Sequence, residues 1–278
     1  MSTNPVFSCL RPGSELHRTY FAGSLGGYAD SLLRALSGTD EPSAVADLRQ
    51  AAKLSGPAGV YDGLAMLQAA LMPEPERLAW GRYMSPYSLA TAIAAHVPSG
   101  GAVVDPAAGM GALLAATRGG SGLEKSPDLV RCGRLAQRLC PDDAPFRLDE
   151  GDAFDPSEGP RADTLVANPP WVLRAELPPQ ALHRLAAHPR YADLLRHERF
   201  DLCVPLLVEA VCTRLKPGGR FAAALPVSIA TEHIWTRFRN GDLFQQCGAA
   251  VSLGFVDPPD PSAFPIQFTL CVGQVSAD

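Results

Sequence analysis

The sequence predicts an α/β fold: a doubly wound, seven-stranded and mostly parallel sheet preceded by a small helical domain. Three observations support this prediction. Two apolar, strand-like segments at 103–105 and 163–167 each run into a rigid or glycine-containing turn. The first turn leads into residues 112–116, which are strongly helix-forming. The length of 278 residues suits one large α/β domain with a small additional one.

Residues 1–78 are predicted to form the helical domain, and residues 79–278 the α/β domain. In the first part, apolar residues recur at helical spacing over 28–36, 44–54 and 60–71, and glycines and prolines separate these stretches. We find no group of side chains with evident catalytic chemistry in this part. A small helical cap or an oligomerisation element is the plain interpretation.

The composition is that of a globular enzyme. Hydrophobic residues make up 46% of the chain and charged residues 19%. No apolar run approaches the roughly 20 residues that span a bilayer. The N-terminus lacks the basic and apolar parts of a secretory signal. We therefore expect a cytoplasmic protein that does not bind a membrane.

Cysteines and histidines give no sign of a metal site. The seven cysteines are scattered, and none forms a Cys-x-x-Cys pair. This pattern argues against a disulfide framework and against a zinc site. The spacing of His183, His188 and His197 matches no metal-ligand pattern. We expect no metal ion.

The net charge of −5 bears on the kind of partner. A protein that holds a nucleic-acid duplex by itself usually has a basic face, because contacts to phosphates supply most of the non-specific affinity. The negative charge lowers the expectation of autonomous DNA binding, although it is compatible with a local basic cleft.

Predicted helices and strands alternate from residue 85 onwards. Ser85 followed by Pro86 is a preferred helix start, so a capped helix is predicted over 89–97. Apolar spacing predicts further helices over 129–139 and 202–215, and a polar, helix-prone insertion lies between them. That insertion covers 175–197. The remaining predicted strands are 121–124, 146–154, 220–225, 249–256 and 266–272.

The turn after the first strand begins at Asp105 and contains Gly109 and Gly111. Glycine lets the backbone turn tightly, and lets a ligand approach the amide groups without a Cβ in the way. Glu124 ends the next predicted strand, where a doubly wound nucleotide-binding domain places an acid that accepts hydrogen bonds from both ribose hydroxyls. The alternative for Glu124 is an ordinary surface glutamate.

A second turn, Asn168-Pro169-Pro170-Trp171, follows the strand at 163–167. Two consecutive prolines cannot donate to a sheet ladder, so the strand must end there. The stiff turn fixes the direction of the Asn168 side chain and leaves backbone carbonyls free. An isolated Asn-Pro-Pro sequence would suit a rigid loop equally well.

Together the two turns resemble those of amino-group methyltransferases that use S-adenosylmethionine, most closely the adenine-N6 DNA methyltransferases. That family has Asp-Pro-x-x-Gly-x-Gly after its first strand and Asn-Pro-Pro-aromatic after its fourth, and residues 105–111 and 168–171 fit. Residues 83–86, Tyr-Met-Ser-Pro, resemble the family's Tyr-x-Thr/Ser-Pro segment, which closes over the methionine end of the cofactor. The resemblance covers about 82–273, and the order of the motifs matches the methylation subunits of type I systems.

The resemblance implies S-adenosylmethionine as the cofactor. It also implies that Asp152 accepts a hydrogen bond from the adenine amino group, with Ala153 and Phe154 beside the ring. The alternative is a turn built on Gly-Asp. The residues predicted to bind the cofactor are Tyr83, Ser85, Pro86, Asp105, Pro106, Ala107, Gly109, Gly111, Glu124, Asp152, Ala153 and Phe154.

Methyl transfer from a sulfonium is an in-line displacement, so the enzyme must mainly align its reactants. The Asn168 oxygen and the Pro169 carbonyl are predicted to accept both N–H groups of an aromatic amine, which turns the lone pair towards the methyl group. Trp171 offers a π face to a planar substrate. The resemblance also places Phe264 against the target base. The predicted catalytic residues are Asn168, Pro169, Pro170 and Trp171, and the predicted substrate contacts are Trp171 and Phe264.

Ala108, Met110 and Trp171 depart from the residues usual in the family. The chain also stops at Asp278, with no target-recognition domain after the last predicted strand. The main hypothesis is an adenine-N6-type N-methyltransferase that acts on DNA through a separate specificity subunit, or on another amine. The alternatives are a methyltransferase for a protein glutamine or a small planar amine, and a non-catalytic module that binds cofactor or nucleic acid. Release-factor glutamine methyltransferases share the Asn-Pro-Pro-aromatic motif, but their first motif is usually Asp-x-Gly-x-Gly.

Overall fold

The predicted helices at 28–36 and 44–54 and the predicted site residues Tyr83 and Phe264 lie outside the described part of the chain, and they stay predictions. The computed structural model describes residues 56–71, 84–141, 144–155, 161–245, 248–259 and 267–277.

One mixed sheet contains the strands β1 (Val103–Asp105), β2 (Ser121–Glu124), β3 (Arg147–Glu150), β4 (Ala162–Ala167), β5 (Leu215–Pro226), β6 (Val251–Val256) and β7 (Phe268–Val275). Their order across the sheet is β3-β2-β1-β4-β5-β7-β6. The first five strands pair in parallel, and β7 is antiparallel to β5 and β6. The predicted α/β class and the seven-stranded, mostly parallel sheet are confirmed.

The described helices are α1 (Gly56–Leu71), α2 (Tyr87–Ala94), α3 (Ala112–Ala116), α4 (Pro127–Leu139), α5 (Pro179–Ala186), α6 (Cys203–Arg214), α7 (Val227–Thr231), α8 (Thr236–Arg239) and α9 (Asp242–Gln245). Short 3-10 turns cover Arg174–Glu176, Leu194–Arg196 and His233–Trp235. The apolar faces of the helices and the sheet form a continuous core, in which Val166, Leu207 and Leu270 are fully buried.

The order of the sheet reverses between β1 and β4. The chain moves from β1 outward to β2 and β3, and then returns to β4 on the other side of β1. Val103 and Val104 pair with Thr164 and Leu165, so the carboxyl ends of β1 and β4 lie side by side. Such a reversal leaves a crevice at that edge of the sheet. The two turns singled out from the sequence therefore border the same crevice.

Helix α1 packs against α2 and α4. Val60, Tyr61 and Leu64 are at most 2% exposed. Asp62 is also buried, and its Oδ1 accepts a hydrogen bond from the Tyr87 N–H at 2.7 Å. The third helix predicted in the N-terminal part is thus present, and it belongs to the common core. The predicted domain boundary at residue 78 stays a prediction.

The start of α2 differs from the capped helix predicted over 89–97. Pro86 occupies the N-cap position, and no side-chain hydrogen bond from that residue caps the helix. Ser85 is therefore not the cap. The Asp62 carboxylate instead accepts from the first N–H of the helix, at the positive end of the helix dipole.

Two strands differ from their predicted ranges by four or more residues at one end. β3 ends at Glu150 instead of 154, because the Asp152 carboxylate accepts from the Phe154 N–H at 3.0 Å and turns the chain. β5 begins at Leu215, before its predicted start at 220, and its first pairing with β4 is irregular.

Cys212 is disulfide-bonded, which departs from the expectation drawn from the scattered cysteines. The thiols of Cys132, Cys203 and Cys271 are free and buried, and Cys140 is also buried.

The described ranges contain neither a candidate membrane span nor a candidate metal cluster. No helix within them has the length and apolar character needed to cross a bilayer. No group of three or more histidine, cysteine, aspartate or glutamate side chains within them is placed to hold a metal ion.

Gly133 lies in α4 where the helix meets the turn after β1. A Cβ at this position would lie 2.5 Å from Leu148 Cδ2 and 2.7 Å from the Met110 carbonyl oxygen. Alanine normally stabilises a helix interior by about 1 kcal/mol relative to glycine. Here it overlaps with backbone, so we expect Gly133→Ala to lower the free energy of unfolding by about 1–3 kcal/mol, measured by urea denaturation.

Gly254→Ala is the control, since a Cβ there would meet Val272 Cγ2 at an ordinary 3.5 Å. We expect this variant to unfold within about 0.5 kcal/mol of the wild type. A Gly133→Ala protein as stable as the wild type would contradict the prediction, because it would show that the turn after β1 yields freely at this contact.

Candidate functional site

A cavity of about 560 Å³ opens at the carboxyl edge of the sheet, where the strand order reverses. This volume suits a small-molecule ligand. Its walls come from the turns after the first four strands and from α1 and α5. The predicted site residues that line it are Ser85, Pro106, Ala107, Gly109, Glu124, Asp152, Ala153, Phe154, Asn168 and Pro170.

The two glycines of the turn after β1 have different roles. Gly109 has φ +55°, and a Cβ there would project beside the cavity, 3.7 Å from Met84 Sδ. Gly111 has φ +85° and is buried, and a Cβ there would lie 2.4 Å from the ring of Phe146. Gly109 therefore leaves space for a ligand. Position 111 requires a glycine because the ring of Phe146 lies where a Cβ would be.

Asp105 lies behind this turn and is fully buried. Its Oδ1 accepts from the Ala107 N–H at 3.1 Å, and its Oδ2 has no hydrogen-bond partner among the described residues. Burial raises the pKa of Asp105 to about 8, opposed by the bond from Ala107 and reinforced by the charge of Glu124. Asp105 and Gly111 support the conformation of the turn from its buried side. Direct contact of either residue with a cofactor stays a prediction.

Glu124 holds the end of β2 against the turn after β1. Its Oε2 accepts from the Gly109 N–H at 2.9 Å, and its Oε1 accepts from the Ser126 N–H at 2.7 Å. These bonds fix the carboxylate at the cavity wall. Each carboxylate oxygen can accept more than one hydrogen bond, so the group can also accept from hydroxyls of a ligand.

Asp152 lies at the cavity wall just after β3, between two cations. Its Oδ2 is 3.0 Å from Lys125 Nζ and 3.3 Å from Arg184 Nη1. Partial burial alone would raise the pKa of Asp152, but the Phe154 N–H and the two cations outweigh it and lower the pKa. The carboxylate is therefore ionised at neutral pH. The sequence predicted the acid at this place but neither of its cationic partners.

Asn168 and Ser85 meet at the cavity, although 83 positions separate them in the chain. Asn168 Nδ2 donates to Ser85 Oγ at 3.0 Å. Ser85 in turn lies two residues before the start of α2, which the Asp62 carboxylate holds through the Tyr87 N–H. The plane of the Asn168 amide is thus set by a short series of contacts that begins on α1.

Successive side chains of the turn after β4 face the cavity and the core alternately, as they do in an extended segment. Every second residue lines the cavity and the others are buried: Asn168, Pro170 and Val172 on one side, Pro169 and Trp171 on the other. The Trp171 indole N–H donates to the Ala224 carbonyl at 3.3 Å, and the ring lies 6.4 Å from Phe268 between centroids. This position differs from the predicted π face for a substrate, and Trp171 anchors the turn to β5.

The cavity wall also includes Tyr61, Lys125 and Arg184, which were not predicted as site residues. Tyr61 lies on α1, in the part of the chain with no predicted site chemistry, and its ring stacks on Tyr87 at 5.8 Å between centroids. The packing of α1 places it, so no local pattern marks it. Lys125 directly follows Glu124, and that adjacency was an available signal.

Neither a protein-family model nor a curated protein sequence matches this chain. Solved structures do match its fold. A Listeria monocytogenes protein assigned to the class I S-adenosylmethionine-dependent methyltransferases superposes with a TM-score of 0.62 at 14% identity, over 91% of this chain and 81% of that one. A modification subunit assigned to a type I restriction enzyme of Vibrio vulnificus has a TM-score of 0.47 at 15% identity, over 80% of this chain and 50% of that one. On the first of these superpositions, the chain has the class I methyltransferase fold.

The raised pKa of Asp105 predicts a pH dependence of stability. Between the ordinary value of 3.8 and the folded-state value of about 8, the folded protein keeps a proton that the unfolded chain releases. The contribution to stability is therefore complete below pH 3.8 and is lost as the pH rises towards about 8. We expect the free energy of unfolding to fall with pH by up to about 1.4 kcal/mol per unit in this window.

Asp105→Asn does not titrate and keeps an oxygen for the Ala107 N–H. Urea unfolding of both proteins between about pH 6 and pH 9 isolates the effect, because the other titrating groups are common to them. We expect the stability of the wild type relative to the variant to decrease with pH. A constant difference would contradict a raised pKa at Asp105.

Asp62 predicts a second effect on stability. Asp62→Ala removes the acceptor of the part-buried Tyr87 N–H. We expect a loss of about 1–3 kcal/mol in the free energy of unfolding. Asp62→Asn keeps an acceptor oxygen and should lose less. Equal urea midpoints for both variants would show that the α2 start does not depend on this bond.

Proposed function

We propose that this protein is an S-adenosylmethionine-dependent N-methyltransferase that transfers a methyl group to an exocyclic amino group. The observation that carries the proposal is the placement of Asn168. Its side chain lies at the wall of the cavity, in a turn stiffened by two prolines, and Ser85 fixes its amide plane. A preorganised amide accepts a hydrogen bond from an amine in a defined direction.

The cavity residues fit S-adenosylmethionine, which supplies an electrophilic methyl group when bound. The space beside Gly109, which a Cβ would occupy, admits a ligand close to the backbone. Glu124 suits the hydroxyls of a ribose, and the ionised Asp152 suits the amino group of an adenine. Apolar side chains complete the wall, including Leu113, Leu129, Val172, Leu177, Leu185 and Leu206.

The residues of the chain orient the acceptor amine. Because Ser85 holds Asn168 Nδ2, the amide oxygen is directed away from Ser85. An N–H that donates to this oxygen turns the lone pair of an aromatic amine out of conjugation, and the oxygen stabilises the positive charge that develops. Trp171 supports this geometry by fixing the turn to the backbone of β5 at Ala224.

We further propose adenine N6 in DNA as the acceptor. The support is the combination of Asp-Pro-x-x-Gly-x-Gly at 105–111 with Asn-Pro-Pro-Trp at 168–171. The net charge of −5 is weak support for a chain that holds DNA alone, so we propose that a separate specificity subunit supplies phosphate contacts. A base in a duplex would be flipped into the cavity at a cost on the order of a few kcal/mol.

Transfer of a labelled methyl group to unmethylated genomic DNA, followed by mass spectrometry of the nucleosides, tests the substrate. Labelled N6-methyladenine is the expected product. In a sample with confirmed cofactor binding, label on a protein glutamine or a small planar amine, with none in DNA, would overturn the DNA acceptor but keep the N-methyltransferase. Cofactor binding without transfer to any amine, in a sample that contains the specificity subunit, would favour a non-catalytic module.

Asn168→Ala tests the chemistry. Loss of one preorganised hydrogen-bonding group in a site of this kind slows catalysis by about 10²–10³-fold. We expect at least that loss in the rate of methyl transfer, with cofactor affinity unchanged as measured by calorimetry.

Asn240→Ala is the control, because Asn240 is an exposed asparagine after α8 and does not line the cavity. It should transfer methyl groups at the wild-type rate. Full activity of Asn168→Ala would remove the central residue of the mechanism.

A further inference from the structure

The segment between β4 and α6 forms one wall of the cavity. Residues 173–201, which we call the capping segment, leave and return at the same place: Leu173 and Asp201 form a β-bridge. The Arg174 N–H donates to the Phe200 carbonyl at 2.9 Å, and the Leu202 N–H donates to the Val172 carbonyl at 3.0 Å. The base of the segment is therefore closed by backbone hydrogen bonds.

The capping segment is packed into the common core and attached to α6. Its buried apolar side chains are Leu177, Leu185, Leu194, Leu195 and Phe200, each at most 7% exposed. Arg190 Nη1 and the Tyr191 hydroxyl both donate to Glu209 Oε1 on α6, each at 2.7 Å. The segment thus stands on α6 as a folded unit.

On its other side the capping segment crosses to the end of β3. Leu177, Ala181 and Leu185 line the same cavity as Asp152 and Phe154. Arg184 on α5 joins these two parts of the wall, with Nη1 3.3 Å from Asp152 Oδ2 and 3.7 Å from Asp155 Oδ1. The same Asp152 is the group that suits the adenine of the cofactor.

We propose that Arg184 is a cofactor-retaining residue: its ion pair with Asp152 joins the capping segment to the end of β3 across the cavity, and the cofactor enters and leaves when this pair opens. The inference rests on the proposed function for the identity of the cofactor. Arg184 is about half exposed, so the pair is weak enough to open repeatedly and is screened by salt.

The test is the rate at which labelled S-adenosylmethionine leaves the protein after excess unlabelled cofactor is added. Arg184→Gln removes the charge, and we expect release to be about two- to fivefold faster. Arg184→Glu places a carboxylate beside Asp152 and Asp155, and we expect release about tenfold faster. Association should also become faster, which loss of a simple binding contact would not produce.

Arg196→Glu is the matched control. Arg196 lies on the same capping segment, its side chain is 81% exposed, and it pairs with Asp193 within the segment. We expect its release rate to equal that of the wild type. Added salt should accelerate release from the wild type but not from Arg184→Gln.

The outcomes separate the two proposals. If the wild type binds S-adenosylmethionine and Arg184→Glu releases it at the wild-type rate, the role proposed for Arg184 is overturned. The proposed function then stands. If Arg196→Glu accelerates release as much as Arg184→Glu, the effect is one of general charge and the inference is also overturned. A wild-type protein that binds no S-adenosylmethionine would overturn the proposed function and this inference together.

Discussion

The parallel pairing of β1 with β4 is the constraint on which the site depends. Because Val103 and Val104 pair with Thr164 and Leu165, two turns that are about sixty residues apart in sequence end at one edge of the sheet. The pairing of β1 with β2 brings the end of β2 to the same edge. The glycine turn lies within reach of Glu124 on β2, and Asn168 lies within reach of Ser85. A shift of β4 by one residue against β1 would turn the side chains of β4 to the opposite face.

Three carboxylates stabilise the backbone around the cavity. Glu124 accepts from Gly109 and Ser126, Asp152 accepts from Phe154, and Asp62 accepts from Tyr87. Each bond satisfies an N–H at a turn or helix start that has no partner in regular secondary structure. Two of these groups also border the cavity, so the bonds that hold the turns orient the groups that a ligand would meet.

Local patterns predicted much of the fold but not the long-range packing. The sheet class, the end of β2 at Glu124 and the stop of β4 before Asn168 follow from apolar runs and proline, which act over a few residues. The burial of Trp171 was missed because it depends on which side of an extended turn faces β5. The roles of Tyr61 and Asp62 were missed because the packing of α1 brings them to the site. Arg184 was missed because its partner lies 32 positions away in sequence.

The two ends of the capping segment lie side by side, because backbone hydrogen bonds close its base. Val172 and Leu202 are joined by a backbone hydrogen bond, which holds the turn after β4 beside the start of α6. Chain closure itself limits the length of the segment little, since doubling a flexible loop costs only about 0.6 kcal/mol in closure entropy, and the stronger limit is the packing of its buried side chains. A scaffold of this kind can carry a capping segment of another size when the packing on α6 is kept, and so accommodate ligands of different bulk while the turns after β1 and β4 keep their geometry. The segment is also a natural junction for grafting in protein engineering.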